Sequence, residues 1–459
     1  MKDYKTIAVI GAGVVGKRMV DHLIALGVSG FYIGDNDKQK RSLSGIPIYG
    51  VDELCKAPLL GYFVSVRNND EIVRQILNNG VPRDKIFITV DGDSLLTAIH
   101  TTLFNKECVL SNSYRNIVFD LSNGDVLGGV EKWSHSTEKY FQNKGYETYN
   151  VIPQEKCFSR KPSKRYVVTN CTMFDCEHAI HILSSEKAIL MCNFPAFFFE
   201  SAIMLKKYFP QKYWVIAIIH NDEECYYDMY VRNIDYIDCL LYISNRMKEK
   251  LIDRGISSDK LKKLEWSIPE NYLPHGEYLK GGVVHIGYAG RITIEQKRVD
   301  YLIKVIKRLY ELKVDFEFEF AGTGDYYEQF VSEIRNLDYE NRCIFLGEIR
   351  RDEIYEFWLD KDVFIATSDW EGRSISKLEA MISGVVPIVT DTSGSADDIE
   401  NGVNGYIVPI GAWELIVERI CELYADKSKV VSMATNAKRY AEEYVRNFDE
   451  DKLWKEIIS

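Results

Sequence analysis

The segment 363–390 constrains the fold of this chain more than any other part of the sequence. A strand-sized apolar run opens it and a polar, acidic loop follows; residues 375–382 then carry apolar side chains at helical spacing, and a second apolar run closes the segment. Strand, helix and strand in this order predict two parallel strands of an open sheet. Because ligands bind at the carboxyl ends of such strands, we expect the loop with Glu371 and the helix with Glu379 to line a site.

The predicted helix begins at Gly372, Arg373, Ser374 and Ile375. The first backbone amides of a helix have no acceptor inside it, and they bind hydroxyl or anionic oxygens. The pattern therefore predicts an oxygen-binding loop between two carboxylates. The simpler alternative is that both glutamates are solvated side chains on an exposed helix face.

The two glutamates, eight residues apart in this setting, resemble the Glu, seven residues, Glu signature of the family-4 retaining glycosyltransferases. The segment 380–389, with the pattern Ala-Met-x-x-Gly-x-x-Pro-Ile-Val, and the segment 401–409 are similar to the same family. The resemblance covers roughly residues 115–459. It implies the GT-B fold, in which two Rossmann-like halves enclose a nucleotide-sugar cleft.

A second motif of the resemblance carries two cations. Arg291 and Lys297 follow an apolar, strand-like run in the pattern Gly-Arg and then Gln-Lys. The resemblance implies that they hold the donor diphosphate. When the sugar–phosphate bond breaks, negative charge develops on the departing diphosphate, and fixed cations stabilise it. We therefore expect the transfer to require no metal.

The resemblance also implies roles for residues elsewhere in the chain. Glu371 would orient the donor sugar, and Glu379 would bind the ribose hydroxyls. His220 ends an apolar run and would lie beside the donor sugar, although a purely structural histidine fits the pattern equally well. Contacts with the donor phosphates and the nucleotide base are implied for two glycine-containing loops: Gly128, Gly129, Gly347 and Ile349. The catalytic candidates are thus Glu371, His220, Arg291 and Lys297.

Arg373 departs from the family pattern, in which Phe-Gly or a similar pair is common at positions 373–374. A positive charge beside the sugar site would favour an acidic or phosphorylated substrate. We treat this as a hypothesis about specificity.

The first 95 residues contain a glycine-rich turn between a strand and a helix, and an acidic residue ends the next strand. These residues are Gly11, Gly13, Gly16 and Asp35. The pattern is a Rossmann fingerprint and predicts a dinucleotide or nucleotide site in this domain. A structural or oligomerising role without ligand is an equal alternative, since a fold does not imply a function.

The predicted fold class is α/β with three Rossmann-like units, of which the last two form a two-lobed GT-B transferase. The predicted boundaries are 1–108 for the N-terminal domain, 109–280 for the acceptor-side lobe and 281–445 for the nucleotide-sugar lobe. Residues 446–459 are predicted to form a helix that packs back on the acceptor-side lobe.

Composition excludes several classes of protein. The net charge of −11 argues against nonspecific nucleic-acid binding. Ten scattered cysteines without a Cys-x-x-Cys pair indicate reduced thiols and a cytoplasmic chain. The start shows no signal-peptide pattern, and the longest uncharged apolar run, 188–199, is too short to span a bilayer.

These observations predict a retaining glycosyltransferase that uses a nucleotide-diphosphate sugar and a glycan or lipid-linked acceptor in surface polysaccharide or glycoconjugate synthesis. A non-catalytic GT-B scaffold or binding subunit is one alternative. A bifunctional chain, whose N-terminal domain is an NAD-dependent sugar-modifying enzyme, is another. Homo-oligomerisation and peripheral contact with the inner face of a membrane, through the basic segment 160–165, are also left open.

Overall fold

The structure is a computed structural model, and it describes the larger part of the chain. The described residues are 7–13, 16–17, 20–21, 24, 31–37, 39–57, 59, 61–64, 70–82, 85–88, 114, 116–121, 129–153, 166–169, 176, 180, 187–266, 268, 275–337, 342–350 and 353–458.

The strands of the described residues form three sheets. In chain order they are β1 (Ile7–Ile10), β2 (Phe31–Gly34), β3 (Ser42–Leu43), β4 (Ile46–Tyr49), β5 (Gly61–Val64), β6 (Ile86–Ile88), β7 (Asn116–Asp120), β8 (Glu147–Pro153), β9 (Tyr166–Thr169), β10 (Ala188–Cys192), β11 (Tyr213–Ile219), β12 (Cys239–Tyr242), β13 (Leu261–Lys263), β14 (Val284–Ala289), β15 (Phe316–Ala321), β16 (Cys343–Gly347), β17 (Val363–Ala366), β18 (Val386–Thr390) and β19 (Tyr406–Val408).

The α-helices of the same residues connect these strands. They are α1 (Val51–Leu54), α2 (Asp70–Asn78), α3 (Gly129–Asn143), α4 (Phe197–Tyr208), α5 (Glu224–Arg232), α6 (Asn245–Asp253), α7 (Val299–Glu311), α8 (Tyr327–Asn336), α9 (Ile354–Trp358), α10 (Ile375–Ile382), α11 (Ser395–Asp398), α12 (Trp413–Ala425), α13 (Lys427–Asn447) and α14 (Glu450–Ile458).

The predicted α/β class with three parallel-sheet units is confirmed. The strand orders are β3-β4-β2-β1-β5-β6, β13-β12-β11-β10-β7-β8-β9 and β16-β15-β14-β17-β18-β19. In the first sheet the short strands β3 and β4 pair antiparallel, whereas β1 pairs in parallel with β2 and β5. Parallel pairing follows from the sequence, because each crossover returns the chain to the same edge of the sheet.

The third sheet is covered on both faces, which explains why its strands are continuous apolar runs. Along β17, Val363 and Ile365 point into one buried cluster and Phe364 points into the other. Leu378 of α10 packs in the same cluster as Phe364. The burial of α10 against this face sets where its first turn lies, at the carboxyl end of β17.

The chain divides into two compact units. One comprises residues 1–126, 139–192 and 196–215, and it contains the first sheet and strands β7 to β10. The other comprises 127–138, 193–195 and 216–459, and it contains the third sheet with β12 and β13. The boundaries predicted from the sequence at 108, 280 and 445 stay predictions. Within the described residues, no helix combines the length and the apolar character needed to cross a membrane.

Candidate active site

The second compact unit contains a polar site at one edge of the third sheet. Strands β14 and β17 pair in parallel, so the loops that follow them leave the same edge. The Asp369 amide donates to the carbonyl of Gln296 over 2.9 Å, and Gln296 Nε2 donates to the Trp370 carbonyl over 3.1 Å. Thr367 Oγ1 donates to the Lys297 carbonyl over 2.8 Å. These hydrogen bonds join two motifs that lie seventy or more residues apart in sequence.

Lys297 and Glu371 form an ion pair between these loops. Ser368 Oγ donates to the same carboxylate oxygen over 2.8 Å. Burial by itself would raise the pKa of Glu371, but the charge and hydrogen bond of Lys297 and the hydrogen bond of Ser368 outweigh burial and lower it. Glu371 is therefore an ionised carboxylate at neutral pH, held in one orientation.

The other two predicted polar residues of this lobe take different positions. Arg291 is exposed, and its Nη2 donates to Gln296 Oε1 over 2.5 Å, so its guanidinium stays on the loop that carries Lys297. Glu379 is buried on α10, one helical turn after its first residue Ile375. Gly347 has φ +66° and its carbonyl accepts from the Gly322 amide over 2.6 Å. Ile349 is half-buried beside the core of the lobe.

The amides at the start of α10 are available, as the sequence predicts. Ser374 caps the helix, because its Oγ accepts from the Lys377 amide over 3.3 Å. Within the described part of the chain, the backbone amides of residues 372–375 donate to no acceptor. Four adjacent donors next to an ionised Glu371 provide positions for ligand oxygens.

Close backbone contacts bring further predicted residues to this loop. A Cβ at Gly372 would lie 2.0 Å from the carbonyl oxygen of His220, and a Cβ at Gly394 would lie 2.4 Å from the carbonyl oxygen of Gly372. A Cβ at Gly129, the first residue of α3, would lie 3.3 Å from Ile375 Cδ1. The structure thus brings Gly129, His220 and Gly372 together. Gly128 lies outside the described residues.

His220 is buried in a ring of aromatic side chains. The ring centroids of Trp133, Phe194 and Trp266 lie 5.7, 6.1 and 6.0 Å from that of the imidazole. Its Nε2 lies 3.0 Å from Asn193 Oδ1. Because an amide oxygen only accepts, Nε2 carries the proton and donates.

Burial of the His220 side chain decides its charge. Asn193 Nδ2 donates in turn to Ser134 Oγ over 3.0 Å, and all three side chains are buried. Burial lowers the pKa of His220 to about 3, so the imidazole is neutral at physiological pH. Sequence reasoning identified His220 but missed Asn193 and Ser134, which belong to no motif.

Arg373 differs from its sequence interpretation. Its side chain is only 2% exposed, and Nη2 donates to Asp398 Oδ1 over 2.5 Å. Lys377 Nζ lies 2.8 Å from Asp398 Oδ2 and donates to the Gly394 carbonyl over 2.7 Å. The guanidinium is therefore paired inside the protein, and the acidic or phosphorylated substrate stays a hypothesis. Neither Lys377 nor Asp398 was predicted as a site residue.

The acidic residue that follows the glycine-rich turn of the first sheet, Asp35, accepts hydrogen bonds from other residues of the chain. The Ala12 amide donates to Asp35 Oδ2 over 2.7 Å and the Asp37 amide donates to Asp35 Oδ1 over 2.8 Å. Lys40 Nζ donates to the same Oδ2 over 3.1 Å. Gly11 adopts φ +109°, which favours glycine, while Gly13 is exposed and Gly16 is buried. The nucleotide site predicted here stays a prediction.

Among the described residues, no three His, Cys, Asp or Glu side chains group as metal ligands. The cations of the site are side chains of the chain itself, Arg291 and Lys297.

The fold is of the GT-B class. It is similar to HepE of Anabaena, solved in complex with UDP-glucose, with a TM-score of 0.59 and 17% sequence identity over 74% of this chain and 98% of that one. At this identity the likeness establishes the fold alone.

The family is indicated by the C-terminal part of the chain. Residues 278–440 match the family described as "Glycosyl transferases group 1". The chain is 26% identical over 212 residues to the amylovoran biosynthesis glycosyltransferase AmsK of Erwinia amylovora, which covers 45% of this chain and 52% of AmsK. It is 30% identical over 158 residues to a glycogen synthase of Thermodesulfovibrio yellowstonii, covering 33% and 31%. The chain spans about half or less of the length of these curated relatives. The family match is thus limited to residues 278–440.

Proposed function

We propose that this chain is a retaining glycosyltransferase that moves a sugar from a nucleoside-diphosphate donor to a glycan or lipid-linked acceptor without a metal ion. One observation carries the proposal. Within a domain that matches the group 1 glycosyl transferases, Lys297 and the ionised Glu371 meet beside the available amides of residues 372–375.

The cations of the site suit the leaving group. Cleavage of the sugar–phosphate bond leaves a diphosphate with additional negative charge, and preorganised cations and amides stabilise such charge in place of water. In the proposal Arg291 and Lys297 contact the diphosphate, and Glu379 binds the ribose. Donor binding would draw Lys297 away from Glu371 or share it between the carboxylate and the phosphate.

The protonation states of Glu371 and His220 fit a role in binding the donor sugar. Glu371 accepts hydrogen bonds from sugar hydroxyls, with the amides of residues 372–375 as donors around it. A lowered pKa makes Glu371 a weak base, and His220 with a pKa of about 3 does not accept a proton at neutral pH. This supports front-face transfer: the acceptor hydroxyl attacks from the side that the nucleotide leaves, and its proton passes to an oxygen of the leaving phosphate. His220 and Gly129 would form the opposite wall.

The nucleotide and the cellular setting are part of the proposal. HepE was solved with UDP-glucose, so UDP-sugars are the first donors to test. AmsK is described as an enzyme of amylovoran biosynthesis, which supports a polysaccharide or related glycoconjugate as the acceptor. We propose that transfer takes place in the cytoplasm, at the inner face of the membrane when the acceptor is lipid-linked.

Donor hydrolysis and transfer assays test the proposal. Purified protein is incubated with UDP-, GDP- and ADP-sugars with and without EDTA, and the anomeric configuration of the product is read by NMR. We expect turnover of one donor, unaffected by EDTA, with retention, and a loss of at least about 100-fold in Glu371→Gln. Glu400→Gln, which changes an exposed glutamate of the same lobe, is the matched control.

The outcomes separate the proposal from a scaffold. Binding of nucleoside diphosphates without turnover of any sugar donor would favour the non-catalytic alternative. Inversion of the anomeric centre, or loss of activity with EDTA, would contradict the retaining, metal-independent mechanism.

A further inference from the structure

Three charged side chains are buried together behind the first turn of α10. Arg373, Lys377 and Asp398 expose 2%, 2% and 0% of their side chains. We refer to them as the buried triad. The guanidinium of Arg373 donates to both oxygens of Asp398, from Nη2 to Oδ1 over 2.5 Å and from Nε to Oδ2 over 3.1 Å. The Lys377 ammonium lies 2.8 Å from Oδ2.

The charges of the buried triad do not cancel. Burial alone would raise the pKa of Asp398, but the charges of Lys377 and Arg373 outweigh burial and hold it far below its usual range. The carboxyl is therefore ionised, and two cations face one anion. The buried triad therefore carries a net charge of +1.

The surplus charge lies close to the proposed donor site. Lys377 belongs to the first turn of α10, directly after the amides of residues 372–375 that donate to no described acceptor. The charge of Lys377 also contributes to the lowered pKa of Glu371, which shows that its field reaches the site carboxylate. The helix N-terminus adds a partial positive charge of its own.

We infer that the buried triad is an electrostatic positioning device for the diphosphate, in which Lys377 supplies charge to the donor site from behind the loop without contacting the ligand. The inference rests on the proposed function and adds Lys377, Arg373 and Asp398 to it. Two features follow. The contribution of the triad to binding depends on the charge of the ligand, and it depends on the net charge of the triad more than on which of its cations is present.

A series of three ligands tests the dependence on ligand charge. Lys377→Met converts the triad to a neutral Arg–Asp pair, and the dissociation constants of UDP, UMP and uridine are measured by calorimetry on the full chain. Since a buried charge acts over several ångströms at an effective dielectric constant near 20, we expect about tenfold weaker UDP binding, a smaller effect on UMP and less than about twofold on uridine. If the wild type prefers GDP or ADP, the matching series of that base is used.

A charge-restoring double variant tests the dependence on net charge. Lys377→Met with Asp398→Asn leaves Arg373 as the one ion, so the surplus of one positive charge returns. We expect this double variant to bind UDP more tightly than Lys377→Met does. A triad that only packs the loop would bind UDP more weakly after the second substitution.

Lys361 provides a matched control. It is also a buried lysine, with Nζ 2.9 Å from a Glu319 oxygen, but it precedes β17 and so lies at the opposite end of the strand from the site. Lys361→Met is expected to lower stability while leaving the relative affinities for the three ligands unchanged. If Lys377→Met does not fold, Arg373→Met neutralises the triad from the other side and is measured with the same series.

The failure of the inference differs from the failure of the proposed function. A wild-type chain that binds none of UDP, GDP and ADP overturns both. A wild-type chain that binds one of them, with Lys377→Met or Arg373→Met weakening the diphosphate and the nucleoside by the same factor, overturns the inference alone.

Discussion

A single methyl group added at Gly372 should disrupt the site. A Cβ at this position would lie 2.0 Å from the carbonyl oxygen of His220 and 2.3 Å from Ile243 Cδ1. The isoleucine methyl can move, but the carbonyl belongs to the backbone after β11, and real Cβ atoms essentially never approach another heavy atom within 3.0 Å. Gly372→Ala must therefore displace the loop by about 1 Å.

The displacement has consequences for stability and for turnover. Overpacking of this kind costs about 1 to 3 kcal/mol in the free energy of unfolding. The same shift moves the amides of residues 373–375 relative to the sugar, and a misplacement of about 1 Å lowers turnover by about 100-fold. We expect both effects, measured by urea unfolding and by kcat/KM for donor hydrolysis.

Gly50→Ala is the control for Gly372→Ala. Gly50 has φ −64°, which any residue adopts, and a Cβ there would meet no atom within 4 Å. Its free energy of unfolding should stay within about 0.5 kcal/mol of the wild type. Wild-type stability and turnover in Gly372→Ala would refute the reasoning, because the close contact with His220 would then not exist in solution.

Three further changes test other parts of the site. Lys297→Met leaves the carboxylate of Glu371 without its cation, so we expect the free energy of unfolding to fall by about 3 kcal/mol and donor binding to be abolished. A variant as stable in urea as the wild type would contradict the ion pair. Tyr444→Phe removes a hydroxyl that accepts from the Trp266 amide over 2.6 Å and donates to the Trp266 carbonyl over 3.0 Å, so unfolding in urea should become easier by about 2 kcal/mol, and no change would argue against these bonds. Burial lowers the pKa of His220 from 6.5 to about 3, so between these pH values the unfolded chain binds a proton that the folded chain does not. The free energy of unfolding should therefore fall by up to about 1.4 kcal/mol per pH unit as the pH drops from 6.5 towards 3. Asn193→Asp places a carboxylate against the imidazole, favours its protonation and should reduce that slope; an unchanged slope in urea unfolding between pH 4 and 7 would exclude the contact.

The local elements of the site could be predicted from the sequence. The helix expected over 375–382 is α10 with the same bounds, and the apolar runs around it are β17 and β18. Periodicity suffices here because burial of one helix face and of whole parallel strands leaves a direct pattern in the order of apolar residues. The meeting of Lys297 and Glu371 was also predictable, since loops after parallel neighbours leave one edge of the sheet.

The partners of buried polar groups could not be predicted in this way. The sequence analysis interpreted Arg373 as a positive charge beside the sugar site, whereas the structure pairs it with Asp398, 25 residues further along the chain. Asn193, whose Oδ1 lies 3.0 Å from Nε2 of His220, is 27 residues before it and in no motif.

The sequence by itself determined the three sheets, the loops that carry the site and the chemical types of residue in it, because these follow from local periodicity and from residue identity. Only the tertiary structure decided which cations face a ligand and which are paired inside. A buried charge takes whichever partner the fold brings within about 3 Å, and sequence distance carries no information about that contact.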